Sequence, residues 1–396
     1  MNIYISENRV LLFILCSSFV YTFLYFPFLG WTLYSLSNIL CMAAVAVYVL
    51  FNLETVLNLF DYRYINVLAC IYSFYVFFSK AYNGEFSLLV LMTFIFRCSI
   101  LPFIELQRER KHVNFLVKVF LFWYGISIFI NDVLMILMPG RFYGDGISRF
   151  FFLGNKFSVG YNHIIFMIMF CLLYSKIRHF KQWISLLFLI ICTVCYYIDC
   201  RTTILGAIVV FLIFMSPDAV FDRLNTRPFI FGAMVICALF VFTTKVVYIP
   251  SIKYFITEVL NRDITLTGRQ QIFDIIPKII SQRPLLGYGS SSMIISKYTG
   301  AYDAQNGFFD MVVCNGFPSA VLYVLLITGM IRRKSSIAAK ILIGGIYAYI
   351  FMSMAEVTYG STMIFLCALL MTESSLYCDQ NVQILEKESV FSFQLF

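Results

Sequence analysis

Residues 32–53 read TLYSLSNILCMAAVAVYVLFNL, a run of 22 residues without a charged side chain. A helix needs about 20 apolar residues to cross the roughly 30 Å hydrocarbon layer of a bilayer. A membrane-spanning strand would be about half as long and would alternate apolar with polar residues. Because this run is long and continuous, it predicts a transmembrane α-helix.

Further apolar runs of the same kind follow along the chain. The 396 residues are 61% hydrophobic and only 13% charged, with a mean hydropathy of +0.85, far from the balance of a soluble domain. We therefore predict an all-α, polytopic membrane protein with about 12 transmembrane helices. The predicted spans are 10–27, 32–53, 64–80, 86–104, 114–138, 157–174, 183–199, 202–216, 228–248, 307–331, 338–355 and 361–377.

Basic residues in the short connections distinguish the two sides of the membrane. Most of them fall on one side, which the positive-inside rule makes cytoplasmic. Both termini then lie in the cytoplasm. The net charge of +8 arises from these connections, so we exclude nucleic-acid binding. The predicted organisation is nine spans in 1–248, an outer loop in 249–306, three spans in 307–377 and a cytoplasmic tail in 378–396.

The outer loop 249–306 is the one long stretch too polar to lie in lipid, so chemistry is expected there. From Arg269 onward, apolar residues recur at helical spacing, which predicts an amphipathic helix on the membrane surface. Thr267 is a suitable N-cap, which places Arg269 in the first turn. Pro277 is expected to bend or break the helix. The glycines of Gly287-Tyr288-Gly289 then permit a tight turn back toward the membrane.

Arg201 begins a predicted helix at the outer membrane boundary and is followed by two threonines. A helix N-terminus is the positive end of the macrodipole, and a guanidinium can bind two phosphate oxygens at once. The position therefore suits a phosphate. The plainer interpretation, that Arg201 anchors a span at headgroup level, stays open. The same alternative holds for Arg269 on its surface helix.

Three motifs stand out in the second half of the chain. They are Arg201-Thr202-Thr203, then Gly268-Arg269 with the helix leading to Pro284-Leu285-Leu286-Gly287-Tyr288-Gly289, and then Gln305-Asn306-Gly307-Phe308-Phe309 before a span. Together they resemble the O-antigen polymerase and ligase family, whose members share a large periplasmic loop late in the chain. The resemblance implies transfer of a glycan from undecaprenyl pyrophosphate to a sugar hydroxyl at the periplasmic face of the bacterial inner membrane.

The resemblance also implies roles for individual residues. Arg201 and Arg269 would hold the pyrophosphate of the donor. Many family members have a proposed catalytic histidine where this chain has Gln305, and an amide cannot take up a proton. Asp303 is our substitute candidate for the base, ahead of Asp310. The further substrate-binding residues expected are Lys156, His163, Arg283, Tyr288 and Asn306.

The expected reaction uses no cofactor and no metal, because no acidic cluster with metal-ligand spacing stands beside these arginines in the sequence. The expected partners are the lipid bilayer, the undecaprenyl-pyrophosphate-linked oligosaccharide and, by resemblance alone, a polysaccharide chain-length regulator. The missing histidine favours a polymerase, which joins lipid-linked repeat units, over a ligase, which transfers polymer to lipid A–core. A flippase for lipid-linked oligosaccharide is a further alternative, favoured only by Arg97 inside a span.

Several polar residues have two open interpretations. Arg97 needs a partner or an aqueous cavity, or else its side chain extends to the cytoplasmic side. His163 is a third candidate base or, more commonly for a lone histidine in a span, a packed and hydrogen-bonded residue. Glu356 either orients one of the arginines or is a plain loop carboxylate, and the second is favoured. The 12 cysteines are interpreted as apolar packing, with a Cys200–Cys314 pair as the weaker alternative.

Overall fold

The computed structural model describes residues 9–59, 63–138, 150–242, 249–254, 257–258 and 269–373. The predicted cap Thr267, the neighbouring Gly268 and the predicted tail 378–396 lie outside these ranges. Two short strands, β1 (Phe150–Phe151) and β2 (Gly154–Asn155), pair antiparallel, and the other elements are helical. The protein is therefore all-α, as its apolar runs predict.

The helices follow the predicted apolar runs, with short connecting helices between them. In chain order they are α1 Arg9–Tyr21, α2 Gly30–Phe51, α3 Leu53–Asn58, α4 Arg63–Tyr82, α5 Leu88–Glu109, α6 Val113–Leu137, α7 Lys156–Tyr174, α8 Phe180–Tyr197, α9 Arg201–Met215, α10 Asp218–Leu224, α11 Arg227–Leu239, α12 Pro250–Tyr254, α13 Arg269–Gln282, α14 Ser291–Thr299, α15 Gly307–Asn315, α16 Phe317–Met330, α17 Ile337–Met352 and α18 Ser361–Met371.

Six helices in the described residues are long and apolar enough to cross a membrane, namely the stretch Pro27–Phe51 that contains α2, and α4 to α8. A seventh results if α10 and the stretch Arg227–Phe242, which meet at 69°, form one span. The shorter apolar helices are α1, α9, α16, α17 and α18. The chain is thus a polytopic membrane protein, while the count of 12 and the sidedness stay predictions. The run 307–331, predicted as one span, is two helices separated at Gly316.

Helix α17 lies at the centre of the bundle, because 13 of its 16 residues are buried. Helix α9 packs against it in the opposite direction: Gly206 faces Met352, whereas Val210 faces Gly344. A side-chain carbon at Gly206 would collide with Met352, so glycine allows the close approach that membrane helices use for packing. The N-terminal part of α7 lies beside the N-terminal part of α9, since Gly160 of α7 faces Thr203 of α9. We call the end of the bundle that contains the starts of α7 and α9 and the end of α17 the site end.

The segment 269–289 packs on the bundle through apolar side chains and backbone bonds. The predicted apolar face of α13 is buried, and its members are Ile272, Phe273, Ile276, Ile279 and Ile280. Of the bend or break expected at Pro277, the break is wrong, since α13 continues through that residue. Burial of this face on both sides of the proline holds the helix together. The turn that follows is fixed by bonds from Tyr288 N to Val313 O (2.9 Å) and from Gly289 N to Cys314 O (2.7 Å).

Candidate active site

Arg269 is the first residue of α13, and two distant side chains fix its guanidinium. Its Nη2 donates to Glu356 Oε1 at 2.6 Å, and its Nε donates to Gln305 Oε1 at 3.1 Å. The Glu356 side chain is 5% exposed and that of Arg269 is 23% exposed, so the pair is largely shielded from water. Within the part of the chain that the structure describes, Nη1 of Arg269 makes no hydrogen bond. The guanidinium is therefore held in place with donors still open.

The carboxyl group of Glu356 has an unusual proton affinity. Its pKa is raised from the ordinary 4.5 to about 8, because burial and the nearby Asp303, which raise it, outweigh Arg269 and Lys156, which lower it. Burial is the largest cause, because removing water penalises the charged form. Arg269, Asp303 and Lys156 thus all lie within electrostatic range of one carboxyl group. A group with a pKa near neutrality can exchange a proton at the working pH.

Asp303 lies next to this pair and is held by Gln305. Its Oδ1 accepts hydrogen bonds from both the backbone N and the Nε2 of Gln305, each at 2.9 Å. Gln305 adopts a left-handed backbone with φ of 51°, which turns both of its donors toward Asp303. Among the described residues, Oδ2 of Asp303 has no hydrogen-bond donor. Gln305 therefore links the two residues: its amide nitrogen donates to Asp303, and its amide oxygen accepts from Arg269.

Asn306 connects the segment that carries Gln305 to the segment that carries Glu356. Its Oδ1 caps α15 by accepting from Phe308 N and Phe309 N, and its Nδ2 donates to Cys237 O at 3.1 Å and Met354 O at 3.3 Å. The side chain is fully buried. Gly307 N also donates to Ser353 O at 2.9 Å. The structure thus places Asn306 behind the site, where it positions Gln305 relative to Glu356.

A second group of charges lies at the first turns of α7 and α9. Lys156 Nζ donates to Asp199 O at 3.2 Å and lies 4.0 Å from Asp199 Oδ2. Arg201 Nε lies 3.5 Å from Asp199 Oδ1, and the Arg201 side chain is about half exposed. Because Lys156 acts on the pKa of Glu356, this group adjoins the Arg269 network. Lys156, Arg201 and Arg269 therefore all lie at the site end.

Three other predicted site residues have different surroundings. His163 is buried, with Nε2 at 3.1 Å from Asp132 Oδ2 and Nδ1 at 2.8 Å from Val159 O, as a packed histidine would be. Arg283 lies at the opposite end of α13 from Arg269, about 20 Å away at 1.5 Å per residue. It donates to Asn83 Oδ1 at 2.7 Å and stacks on the ring of Tyr288. The structure does not bring these three residues to the Arg269 network.

The remaining open interpretations concern Asp310, Arg97 and the cysteines. Asp310 Oδ1 accepts from Ala304 N at 3.2 Å, so it supports the loop that carries Asp303. Arg97 lines a cavity of about 60 Å³ that Lys80 also lines, and its Nε has no partner there among the described residues. All cysteines in the described ranges are free thiols, so a bond between Cys200 and Cys314 is not formed.

Two acidic residues of the site had too little weight in the sequence analysis. Glu356 had two interpretations, and the one that the structure supports is orientation of an arginine, because its carboxyl group is the buried partner of Arg269; the favoured interpretation as a plain loop carboxylate is wrong. Asp199, which pairs with both Arg201 and Lys156, was not considered. A signal existed for Asp199, since it stands two residues before Arg201 at the same membrane boundary. For Glu356 the signal was its place among very few carboxylates at the outer end of a predicted span.

Residues 186–324 match the O-antigen ligase family model. This segment, about a third of the chain, contains Arg201, Arg269, Asp303 and Asn306, whereas Lys156 and Glu356 lie outside it. The resemblance to the O-antigen polymerase and ligase family is thereby confirmed. No curated protein and no solved structure matches the chain. The O-antigen family covers polymerases and ligases, which are glycosyltransferase-like, and the match does not distinguish the two.

Proposed function

We propose that this chain is an O-antigen polymerase, a metal-independent glycosyltransferase. It transfers a glycan from undecaprenyl pyrophosphate to a sugar hydroxyl of another lipid-linked repeat unit, at the periplasmic face of the inner membrane. The observation that carries the proposal is Arg269, which Glu356 and Gln305 fix while no other described residue occupies its remaining donors. Lys156 and Arg201 supply two further cations at the same end. A polysaccharide chain-length regulator is an expected partner.

The leaving group sets the first requirement of this reaction. As the bond between sugar C1 and the pyrophosphate oxygen breaks, negative charge grows on the pyrophosphate. Preorganised donors in a site shielded from water stabilise such charge most effectively. Nη1 of Arg269, which no described residue occupies, provides a donor whose position does not depend on the substrate, and the planar fork of the guanidinium suits two phosphate oxygens. Arg201, about half exposed, and Lys156 extend the positive field toward solvent.

The acceptor sets the second requirement, because its hydroxyl must lose a proton as its oxygen bonds to C1. Two carboxyl groups lie close enough to one another to serve, Asp303 and Glu356. Among the described residues, one oxygen of Asp303 has no donor, and Glu356 has a pKa of about 8, close to the working pH. We favour Glu356 as the base, because proton transfer is most efficient when the pKa of the base is near the pH. Asp303 then orients Gln305, and it is the second candidate.

Mutation of the arginines tests the proposal. Arg269→Ala and Arg201→Ala are each expected to abolish long-chain glycan on a polysaccharide gel while the protein stays inserted and abundant. The matched control is Arg333→Ala, because this exposed arginine pairs with Asp222 at the end of α16 remote from α15. Normal chain-length ladders in both site variants would refute the assignment. Loss of glycan in the control as well would show that the effect is not specific to the candidate site.

A ligase is the second candidate, because the matching family model is named for O-antigen ligase. Deletion of the gene separates the candidates by the product that remains. One repeat unit still attached to the lipid A–core indicates a polymerase. Complete loss of attachment, with lipid-linked polymer accumulating, indicates a ligase. Accumulation of single units in the inner leaflet indicates a flippase, the alternative that Arg97 favours.

A further inference from the structure

A cavity of about 230 Å³ lies beside the candidate active site. Val357, the residue after Glu356, lines it, and so does Tyr161 on α7. Tyr161 lies close enough to Glu356 and Asp303 for their charges to act on its hydroxyl. The cavity therefore adjoins the two carboxyl groups that can take the acceptor proton. We call it the tyrosine cavity, because five tyrosines line it.

Polar groups without partners line the tyrosine cavity. Tyr124, Tyr349 and Asn162 are 2%, 3% and 7% exposed. Within the described part of the chain, neither phenol hydroxyl nor the Asn162 amide makes a hydrogen bond. These three groups line the cavity without being fully buried, whereas the hydroxyl of Tyr359, which also lines it, is buried and has no hydrogen-bond partner among the described residues. A buried hydroxyl normally has a partner, because an unpaired one keeps the cost of its desolvation. Polar groups of this kind around one cavity indicate a ligand rich in hydrogen-bonding groups.

The lining also limits the charge and size of that ligand. Among the described residues that line the cavity, none is a Lys, Arg, His, Asp or Glu, which disfavours a phosphate or another ion. A polyprenyl tail would leave the hydroxyls and the amide unpaired. A neutral sugar has hydroxyls for these groups and an apolar face for the aromatic rings. The volume is below the roughly 300–1,000 Å³ of drug-sized pockets and suits about one sugar ring.

We infer that the tyrosine cavity binds a neutral sugar of the acceptor repeat unit. Its identity as the acceptor rests on the proposed function, whereas the preference for a neutral sugar rests on the cavity alone. Glu356 contacts Arg269 through its side chain and precedes Val357 in the chain. A sugar in the cavity therefore lies beside the chain segment that carries Glu356, while the donor pyrophosphate occupies Arg269.

Binding of the free repeat-unit oligosaccharide, released from its lipid, tests this inference without requiring catalysis. The measurement is saturation-transfer NMR on the full-length protein in lipid nanodiscs. Tyr349→Phe and Asn162→Leu each remove one polar group and keep the bulk, so each is expected to weaken binding about threefold to tenfold. The matched control is Tyr347→Phe on the same helix. Its hydroxyl donates to Leu224 O at 2.9 Å, away from the cavity.

The outcomes separate this inference from the proposed function. Equal affinity in wild type and both cavity variants, or no binding by wild type at millimolar oligosaccharide, would overturn the inference. Weaker binding in the cavity variants, with unchanged binding in Tyr347→Phe, would support it. In the transferase assay the same variants should raise the KM for the acceptor and leave the KM for the donor unchanged. Binding that follows this pattern in a protein without transferase activity would leave the sugar site standing and refute the polymerase.

Discussion

Changing Glu356 to Gln tests whether this carboxyl group is the base of the reaction. With a pKa of about 8, Glu356 is ionised in about 1% of molecules at pH 6 and in about half at pH 8. A base acts in its ionised form, so the wild-type rate should rise about 50-fold between these pH values. Glu356→Gln cannot accept the proton, and its rate should fall about 10²–10⁴-fold and lose this pH dependence.

The assay is polymer formation by the purified full-length protein supplied with lipid-linked repeat units, at pH 6, 7 and 8. Asp303→Asn serves as the matched variant, since it removes the neighbouring carboxylate and keeps a group that Gln305 can contact. We expect it to slow the reaction and to move the rise toward lower pH, because the charge of Asp303 raises the pKa of Glu356. A flat wild-type profile, or a rise that survives in Glu356→Gln, would refute Glu356 as the base. A rise that survives in Glu356→Gln and is lost in Asp303→Asn would assign the role to Asp303.

Two further substitutions test how the site is held together. Arg269→Lys should lose most polymer formation, because an ammonium cannot contact Glu356, Gln305 and a phosphate in the geometry of a planar fork; wild-type ladders on a gel would show that charge alone suffices. Asn306→Ala removes the cap of α15 and the bonds to Cys237 and Met354, so it should lower stability by about 1–2 kcal/mol. Thermal unfolding of the solubilised protein measures this loss, and an unchanged midpoint would contradict it.

Local properties of the sequence were sufficient to predict the helices. Each apolar run contains an apolar helix because hydrophobic length and the need to pair backbone groups are decided within the run itself. The buried face of α13 was predictable for the same reason, since its spacing is helical. The break at Gly316 also had a local signal, because Gly316, with φ of 80°, ends α15 and Pro318 lies in the first turn of α16. The bond from Phe317 N to Pro284 O at 2.9 Å joins this break to the docked turn, and that contact is not local to the run.

The site itself was predictable only in part, because its pairs join residues far apart in the chain. The motifs identified Arg201, Arg269 and Asp303 as candidates, and the structure brings their helices and loops to one end of the bundle. Glu356 is 87 residues from Arg269, and nothing local to either residue indicates which arginine Glu356 contacts. Arg283 was grouped with the site because its motif is near in sequence. It instead contacts Asn83, which is 200 residues away.

The arginines of the site have carboxyl partners, and this pairing bears on how the site achieves catalysis. Arg201 has Asp199 and Arg269 has Glu356. Such pairing lowers the cost of holding cations away from water, but it also weakens the field that a pyrophosphate experiences.

Proton transfer to Glu356 removes one negative charge while the leaving pyrophosphate gains one. Arg269 then attracts the protonated Glu356 less and the leaving pyrophosphate more. This stabilisation is present in the transition state and absent from the ground state. Interactions of this kind raise kcat, whereas a permanently ionised partner would hold Arg269 equally in both states. We therefore expect the rate to depend on Glu356 more than on Gln305.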